Sequence, residues 1–342
     1  MRDRLRIALV SPLALPTRPD TGSSIEQLVS LLAAELTRRG HEVTLFASGD
    51  SQTEARLHAV YPRSYKEDSM LWNYYEFHEI VHVAAAFEQA ERFDVIHSHA
   101  YHHALPFTRL VSTPVLHTYH INPTKDILSC YSRYPETQVV AVSQYHRSKF
   151  TTLDRVAVVY NGIDIDAFPF HAKRGDYLVF LGHLIHKKGA LEAIQIAQQV
   201  GMRLVMAGQT SDYFYAEIEP WVDGKQVEYI GYIGVPERNK LLAEAAALLF
   251  PINASEPFGL VMLEAMACGT PVAAIDRCAV SEIVEPGVTG YYAADIDALA
   301  ALIPDTLALD RYKVRKAIAR FDYRRMVDGY ESLYRQMLEV RQ

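Results

Sequence analysis

Short, nearly continuous apolar runs alternate with longer stretches in which apolar residues return every three or four positions, and this rhythm persists through most of the chain. Strands covered by helices on both faces read as continuous apolar runs, which is the signature of a parallel sheet. The pattern predicts strands from Leu5 to Val10, Val43 to Ala47, Val95 to His97, Val115 to Thr118, Val139 to Ser143 and Val156 to Tyr160. A helix from about Ser24 to Arg39, stopped by Gly40, follows the first of them. Across 161–175, Gly162, Pro169 and Gly175 interrupt any period, and the rhythm then restarts. Strands are predicted from Tyr177 to Leu181, Leu204 to Ala207, Val227 to Ile230, Leu248 to Pro251 and Val272 to Ile275, with helices near 189–200, 236–246 and 259–267. An amphipathic helix from Phe321 to Val340 ends the chain. The expected fold class is α/β, with two doubly wound Rossmann-like domains facing each other across a cleft. Ligands of such sheets bind beyond the C-terminal ends of the strands.

Composition narrows the function. The 342 residues, 49% of them hydrophobic, suffice for two cores. A formal charge of -7 with no long lysine or arginine run argues against a nucleic-acid surface. No apolar run approaches the ~20 residues needed to span a bilayer, and the start of the chain leads only into the short stretch from Ile7 to Val10, so a cytoplasmic location without a transmembrane segment is expected. Cys130, Cys268 and Cys278 lack metal-ligand spacing and read as reduced thiols.

The segment from Glu256 to Glu264, Glu-Pro-Phe-Gly-Leu-Val-Met-Leu-Glu, carries the most chemistry. Pro257 and Gly259 form a turn, the apolar run after it forms a helix, and Gly269 stops that helix before the next strand. One acid precedes the helix and the other lies inside it. From Gly259 to Glu264 the helix rises about 7.5 Å at ~1.5 Å per residue, roughly a diphosphate with part of a sugar on either side. The amides of Gly259, Leu260 and Val261 are helix-start donors suited to phosphate. Glu256 can accept hydrogen bonds from hydroxyls of a transferred sugar, and Glu264 from a ribose diol. Glu264 stands among Leu263, Ala265, Met266 and Ala267, where a charge needs a partner, and a ligand hydroxyl qualifies.

Two Rossmann-like halves with this motif late in the second resemble the retaining glycosyltransferases of family 4, which have the GT-B fold. The resemblance covers nearly the whole chain. It includes Gly182-His-Leu-Ile-His-Lys-Lys188-Gly189, similar to the family's Gly-Arg-Leu-x-x-x-Lys-Gly segment, together with Tyr160-Asn-Gly-Ile-Asp164, Asp94-Val-Ile-His-Ser-His99 and Gly40-His-Glu-Val43. It implies an N-terminal, acceptor-side domain over 1–165 joined by the C-terminal helix at about 321–342, and a donor-binding domain over 166–320. It implies a hexosyl transfer from a nucleoside-diphosphate sugar to a hydroxyl-bearing acceptor, with retained configuration, no cofactor and no metal. Lys188 would bind the diphosphate, Glu256 the sugar and Glu264 the ribose. His183 stands where the family usually has arginine, so the phosphate clamp here would depend on a group that is not permanently charged. Lys187 and His186 could share that role. His120 matches best the histidine that family members place at a strand end facing the transferred sugar. Gly22-Ser23-Ser24 lies where the family commonly has a Gly-Gly pair approaching the donor or acceptor, although Ser24 could equally cap the first helix. Tyr232 and Ile233, after Gly231, mark the region expected to receive the base.

Other features carry less. His97, His99, His102 and His103 are read as hydrogen-bonded cleft or core residues rather than metal ligands. Asp164-Ile-Asp166 and Asp295-Ile-Asp297 mimic a metal motif of another glycosyltransferase fold; the first falls in the interdomain connection and the second at the start of a surface helix. Tyr61, Tyr65, Trp72, Tyr74, Tyr75 and Phe77 could stack on sugars, meet an apolar acceptor, pack in the core or form a subunit contact. A nicotinamide oxidoreductase is disfavoured, since Ser11 to Leu15 lacks glycine and Gly182 to Gly189 has the wrong spacing. A sugar-nucleotide epimerase and a non-catalytic nucleotide-sugar-binding protein stay open.

Overall fold

The structure, a computed structural model, describes residues 4–21, 24–66, 73–254 and 256–339. The chain divides into two compact units, Met1–Gly162 with Tyr323–Gln342, and Ile163–Asp322. Each unit is built on one parallel sheet.

In unit 1 the strands are β1 (Arg6–Val10), β2 (Glu42–Phe46), β3 (Arg56–His58), β4 (Val95–Ser98), β5 (Val115–Thr118), β6 (Gln138–Ala141) and β7 (Val156–Val158), in the order β3-β2-β1-β4-β5-β6-β7. Ile7, Ala8, Leu9 and Val10 pair on one side with β2 and on the other with β4, which makes β1 central and explains why its apolar run is unbroken. Strand β3 escaped the sequence pattern because its three residues, Arg-Leu-His, lie at the sheet edge and none is buried. The helix Ser24–Arg38 buries Leu28, Val29, Leu32 and Leu36. The C-terminal helix Tyr323–Glu339 packs with it. Glu331 of that helix pairs with Arg39 at 3.1 Å and lies 3.4 Å from His41, while Tyr334 Oη meets His97 Nδ1 at 2.7 Å.

The aromatic-rich segment divides between the two environments. Tyr65 is buried against Leu13 and Ala14, whereas Tyr74 and Phe77 are exposed at the start of a helix, Tyr75–Phe87, that the aromatic density hid from the sequence reading. Trp72 lies outside the described residues.

In unit 2, β8 (Tyr177–Leu181), β9 (Arg203–Ala207), β10 (Val227–Tyr229), β11 (Ala247–Phe250), β12 (Val272–Ile275) and β13 (Gly290–Ala293) are ordered β10-β9-β8-β11-β12-β13. Only β13 was unpredicted; Gly-Tyr-Tyr-Ala has one buried residue and closes the sheet edge. Arg311, nearly buried, donates to the carbonyls of His171, Ala243 and Ala245 and to Thr270 Oγ1 at 2.7–2.8 Å. One guanidinium thus satisfies four acceptors that packing would otherwise leave dry. Cys130, Cys268 and Cys278 are free thiols, and no helix among the described residues is long and apolar enough to cross a membrane.

The helix Tyr75–Phe87 turns Glu79 and His82 inward against the loop after β1. Leu13 N donates to Glu79 Oε1 at 2.8 Å, and His82 Nε2 donates to the Ser11 carbonyl at 2.9 Å. Glu79 Oε2 is buried with no hydrogen-bond partner. Burial pushes this carboxyl from 4.5 up to about 8, with Glu26 adding to the rise. The folded state therefore keeps a proton that the unfolded chain loses near pH 4.5. That contribution to stability is whole below pH 4.5 and disappears as pH climbs through about 8. Glu79→Gln, which cannot ionise, should gain stability relative to the native chain between pH 5 and 8, by at most about 1.4 kcal/mol per pH unit. Chemical denaturation across that range tests it, and parallel stability curves would show that Glu79 is already ionised.

Candidate active site

The chemistry-bearing residues of unit 2 gather at the C-terminal edge of its sheet. After β8 the chain passes through Gly182, His183 and Leu184. Leu184 N donates to the Gln209 carbonyl at 2.9 Å and Ser211 Oγ returns a bond to the Leu184 carbonyl at 2.7 Å. The loops following β8 and β9 are thereby stitched together. His183 is exposed here.

The next turn, His186–Lys188, ends at Gly189, whose left-handed backbone (φ 79°) lets it lie against the segment after β11. A Cβ on Gly189 would come within 1.8 Å of the Pro251 carbonyl oxygen. Because the backbones approach this closely, the Lys187 carbonyl accepts from Asn253 N at 3.0 Å and Ala254 N at 3.3 Å. Lys188 Nζ is then delivered to Glu256 Oε2 as an ion pair. The two side chains are 31% and 22% exposed, so the pair is accessible from solvent while partly shielded from it.

Glu256 is held from a second direction. Its N–H donates to Cys278 Sγ at 3.2 Å, and Arg277 Nη1 donates to Asn253 Oδ1 at 3.0 Å. Cys278 carries a left-handed backbone (φ 62°), which is strained for a residue with a side chain. Sequence reading saw only an unpaired thiol there.

Gly259 (φ 98°) begins the helix Leu260–Ala267 with no side-chain cap. Met262 N is the amide that returns to the Gly259 carbonyl, at 3.0 Å. The amides ahead of it at Leu260 and Val261 are orphan donors of a helix start, oriented as an anion would require. Glu264 lies on the second turn, 7% exposed. The sequence demanded a partner for it, and the protein supplies one that sequence reading missed. Arg238, on the helix Val235–Glu244, places Nη2 3.2 Å from Glu264 Oε1. Burial raises the carboxyl's pKa while Arg238 pulls it down.

Tyr232 and Ile233 follow β10 in the same unit. Gly208 N donates to the Gly231 carbonyl at 3.0 Å, joining this loop to the one after β9. Tyr232 is 69% exposed and Ile233 half-buried. The two Asp-x-Asp sequences are engaged in turns: Asp164 accepts from Asp166 N at 3.2 Å and Asp295 caps the N–H of Ala298 at 2.9 Å.

In unit 1, His120 lies just past the end of β5, its Nε2 2.9 Å from His99 Nδ1. His99 Nε2 is buried without a partner, which is cheaper as a lone pair than as an N–H. That places the His99 proton on Nδ1, where it is donated to His120, and leaves Nδ1–H as the remaining donor of His120. Burial lowers the His120 pKa to about 3, with His146 contributing, so the ring is neutral at physiological pH. His97 bonds Thr118 Oγ1 at 2.8 Å and Tyr334, as a core residue. Ser24 is exposed at the first position of its helix; Gly22 and Ser23 lie outside the described residues.

Residues 164–324 match the family profile Glycosyl transferases group 1, and residues 25–167 match Glycosyltransferase Family 4. The chain is 25% identical over 333 residues to a glycogen synthase of Mycobacterium tuberculosis, with 81% of this chain and 80% of the relative covered. It is similar in structure to AviGT4, a glycosyltransferase involved in avilamycin A biosynthesis, with a TM-score of 0.76, 25% identity and 98% of each chain covered. Against Anabaena HepE in complex with UDP and glucose the TM-score is 0.73 at 17% identity, covering 97% of this chain and all of the other. Two parallel Rossmann-like sheets with matches along both halves make the chain a member of the group 1, family 4 glycosyltransferases of GT-B fold, which use nucleotide-sugar donors.

Proposed function

We propose that this protein transfers a hexosyl group from a nucleoside-diphosphate sugar to a hydroxyl acceptor, with retention of configuration and without metal. The observation that carries the reading is the Lys188–Glu256 ion pair beside the uncapped helix start at Gly259. The amides of Gly259, Leu260 and Val261 receive the diphosphate. As the bond from the anomeric carbon to the diphosphate oxygen breaks, negative charge grows on the leaving group, and Lys188 stabilises it. Glu256 Oε2 takes the ammonium, so Oε1 is left to accept from sugar hydroxyls. The acceptor oxygen bonds to the anomeric carbon on the same face, and its proton passes to the departing phosphate oxygen. No carboxylate nucleophile is required.

His120 serves in this reading as a neutral hydrogen-bond donor to a sugar hydroxyl, since a ring with a pKa of about 3 supplies no charge at physiological pH. His183, exposed at the end of β8, adds charge to the diphosphate when protonated. Hexose as the transferred unit is supported by the relative named a glycogen synthase and by the HepE complex with UDP and glucose.

Incubation with a panel of nucleotide sugars, with and without hydroxyl acceptors, distinguishes this reading from its rivals. Acceptor-dependent release of nucleoside diphosphate is expected. Donor conversion without acceptor would indicate an epimerase, and binding without turnover a non-catalytic protein. Glu256→Ala forfeits a charged hydrogen bond worth ~1.5–3 kcal/mol, so turnover should fall about ten- to a hundredfold. Native turnover in that variant would remove Glu256 from the reaction. Gly189→Ala tests the scaffold: its Cβ must displace the Pro251 carbonyl and so part Lys188 from Glu256. A turnover loss comparable to that of Lys188→Met is expected, and an unaffected rate would show that the loop approach is dispensable.

A further inference from the structure

Arg238 stands out among the described residues because its charge is placed without being fully used. Its Nη2 approaches Glu264 Oε1 at 3.2 Å as an ion pair, yet Nη2 and Nε are both buried with no hydrogen-bond acceptor. The side chain is only 21% exposed, so water does not freely compensate it. Its helix, Val235–Glu244, follows Tyr232 and Ile233 after the N-cap Gly234 and packs on the helix that carries Glu264. The guanidinium therefore belongs to the helix that leaves the base-side loop and is aimed at the acid assigned to the ribose.

An acid buried to this degree favours its protonated form, and a protonated carboxyl would donate to a diol rather than accept from it at that oxygen. Removing the neighbouring cation would raise its pKa further. The other ionisable group coupled to this carboxyl is the Cys268 thiol, which burial keeps protonated.

We propose that Arg238 is a positioning residue for donor recognition: it holds Glu264 ionised and in the orientation that accepts both hydroxyls of the nucleotide ribose. This rests on the reading of Glu264 as the ribose-binding acid. A lysine at this position would supply the charge from a single ammonium.

The discriminating measurement compares UDP, GDP and ADP with their 2′-deoxy counterparts by calorimetry or thermal shift on the intact chain. The native protein should bind the ribonucleotide about tenfold more tightly than the deoxy form, equivalent to ~1.4 kcal/mol. Arg238→Met should lose that preference at pH 7 while keeping its affinity for the deoxynucleotide, and should recover none of it on raising the pH to 8 if orientation is lost as well as charge. Arg238→Lys should keep part of the preference. Glu264→Gln should lose it at every pH. A general structural defect would instead weaken both ligands together. If Arg238→Met retains the full preference while Glu264→Gln loses it, the role assigned to Arg238 is wrong and the ribose reading stands. If the native protein binds both sugars equally, the ribose reading fails and the inference falls with it.

Discussion

The candidate site of unit 2 depends on one close approach of two backbones, that of Gly189 to the Pro251 carbonyl. The approach is available only to a residue without a Cβ, and it lets the Lys187 carbonyl accept the amides of Asn253 and Ala254. Those bonds register the loop after β8 against the loop after β11. An ammonium and a carboxylate 68 positions apart in sequence consequently meet as a pair. The parallel sheet brings both loops to the same edge, and the absence of a Cβ at Gly189 permits the contact between them.

The segment presenting Glu256 is braced again by Arg277 and Cys278, the latter at the expense of a left-handed backbone. Strain of this kind persists where surrounding contacts over-determine the geometry. Here the Cys278 contact falls on the amide of Glu256, the acid to which the proposal assigns the transferred sugar. Catalytic precision in such a site is a property of its supporting loops as much as of the reacting group. In unit 1 the same economy takes another form. Histidines 97, 99, 117, 120 and 146 are all driven toward neutrality by burial, so they act through directed N–H groups and lone pairs rather than through charge. Glu79 likewise sits where burial favours its proton, beneath the loop after the central strand β1.

Eleven of the strands were legible: the nine inner ones because a parallel strand buried on both faces must be apolar almost throughout, as in Val115–Thr118 or Val272–Ile275, and the edge strands β7 and β10 because each opens on a buried valine. Edge strands β3 and β13 were not, since one exposed side removes that demand and leaves three or four residues without a pattern. The helix Tyr75–Phe87 was obscured for a different reason: Tyr74, Tyr75 and Phe77 are exposed, so apolar residues there do not mark the buried face. Leu260, Val261 and Glu264 lie on the helix that the turn before it and the glycine after it marked, and Gly259 stands at its N-cap.

The sequence by itself determined the two alternating α/β halves, the helix start at Gly259 and the acids that flank it. These follow from local rules: the period of apolar residues, the conformations open to glycine and the orphan amides of a helix terminus. The tertiary structure decided that Arg238 answers the charge of Glu264, that Cys278 holds the amide of Glu256, and that His120 is neutral with its proton directed by His99. Each of those outcomes joins residues more than 20 positions apart, and depends on how two elements pack and how much water they exclude. Neither quantity is encoded in the spacing of residues along one segment.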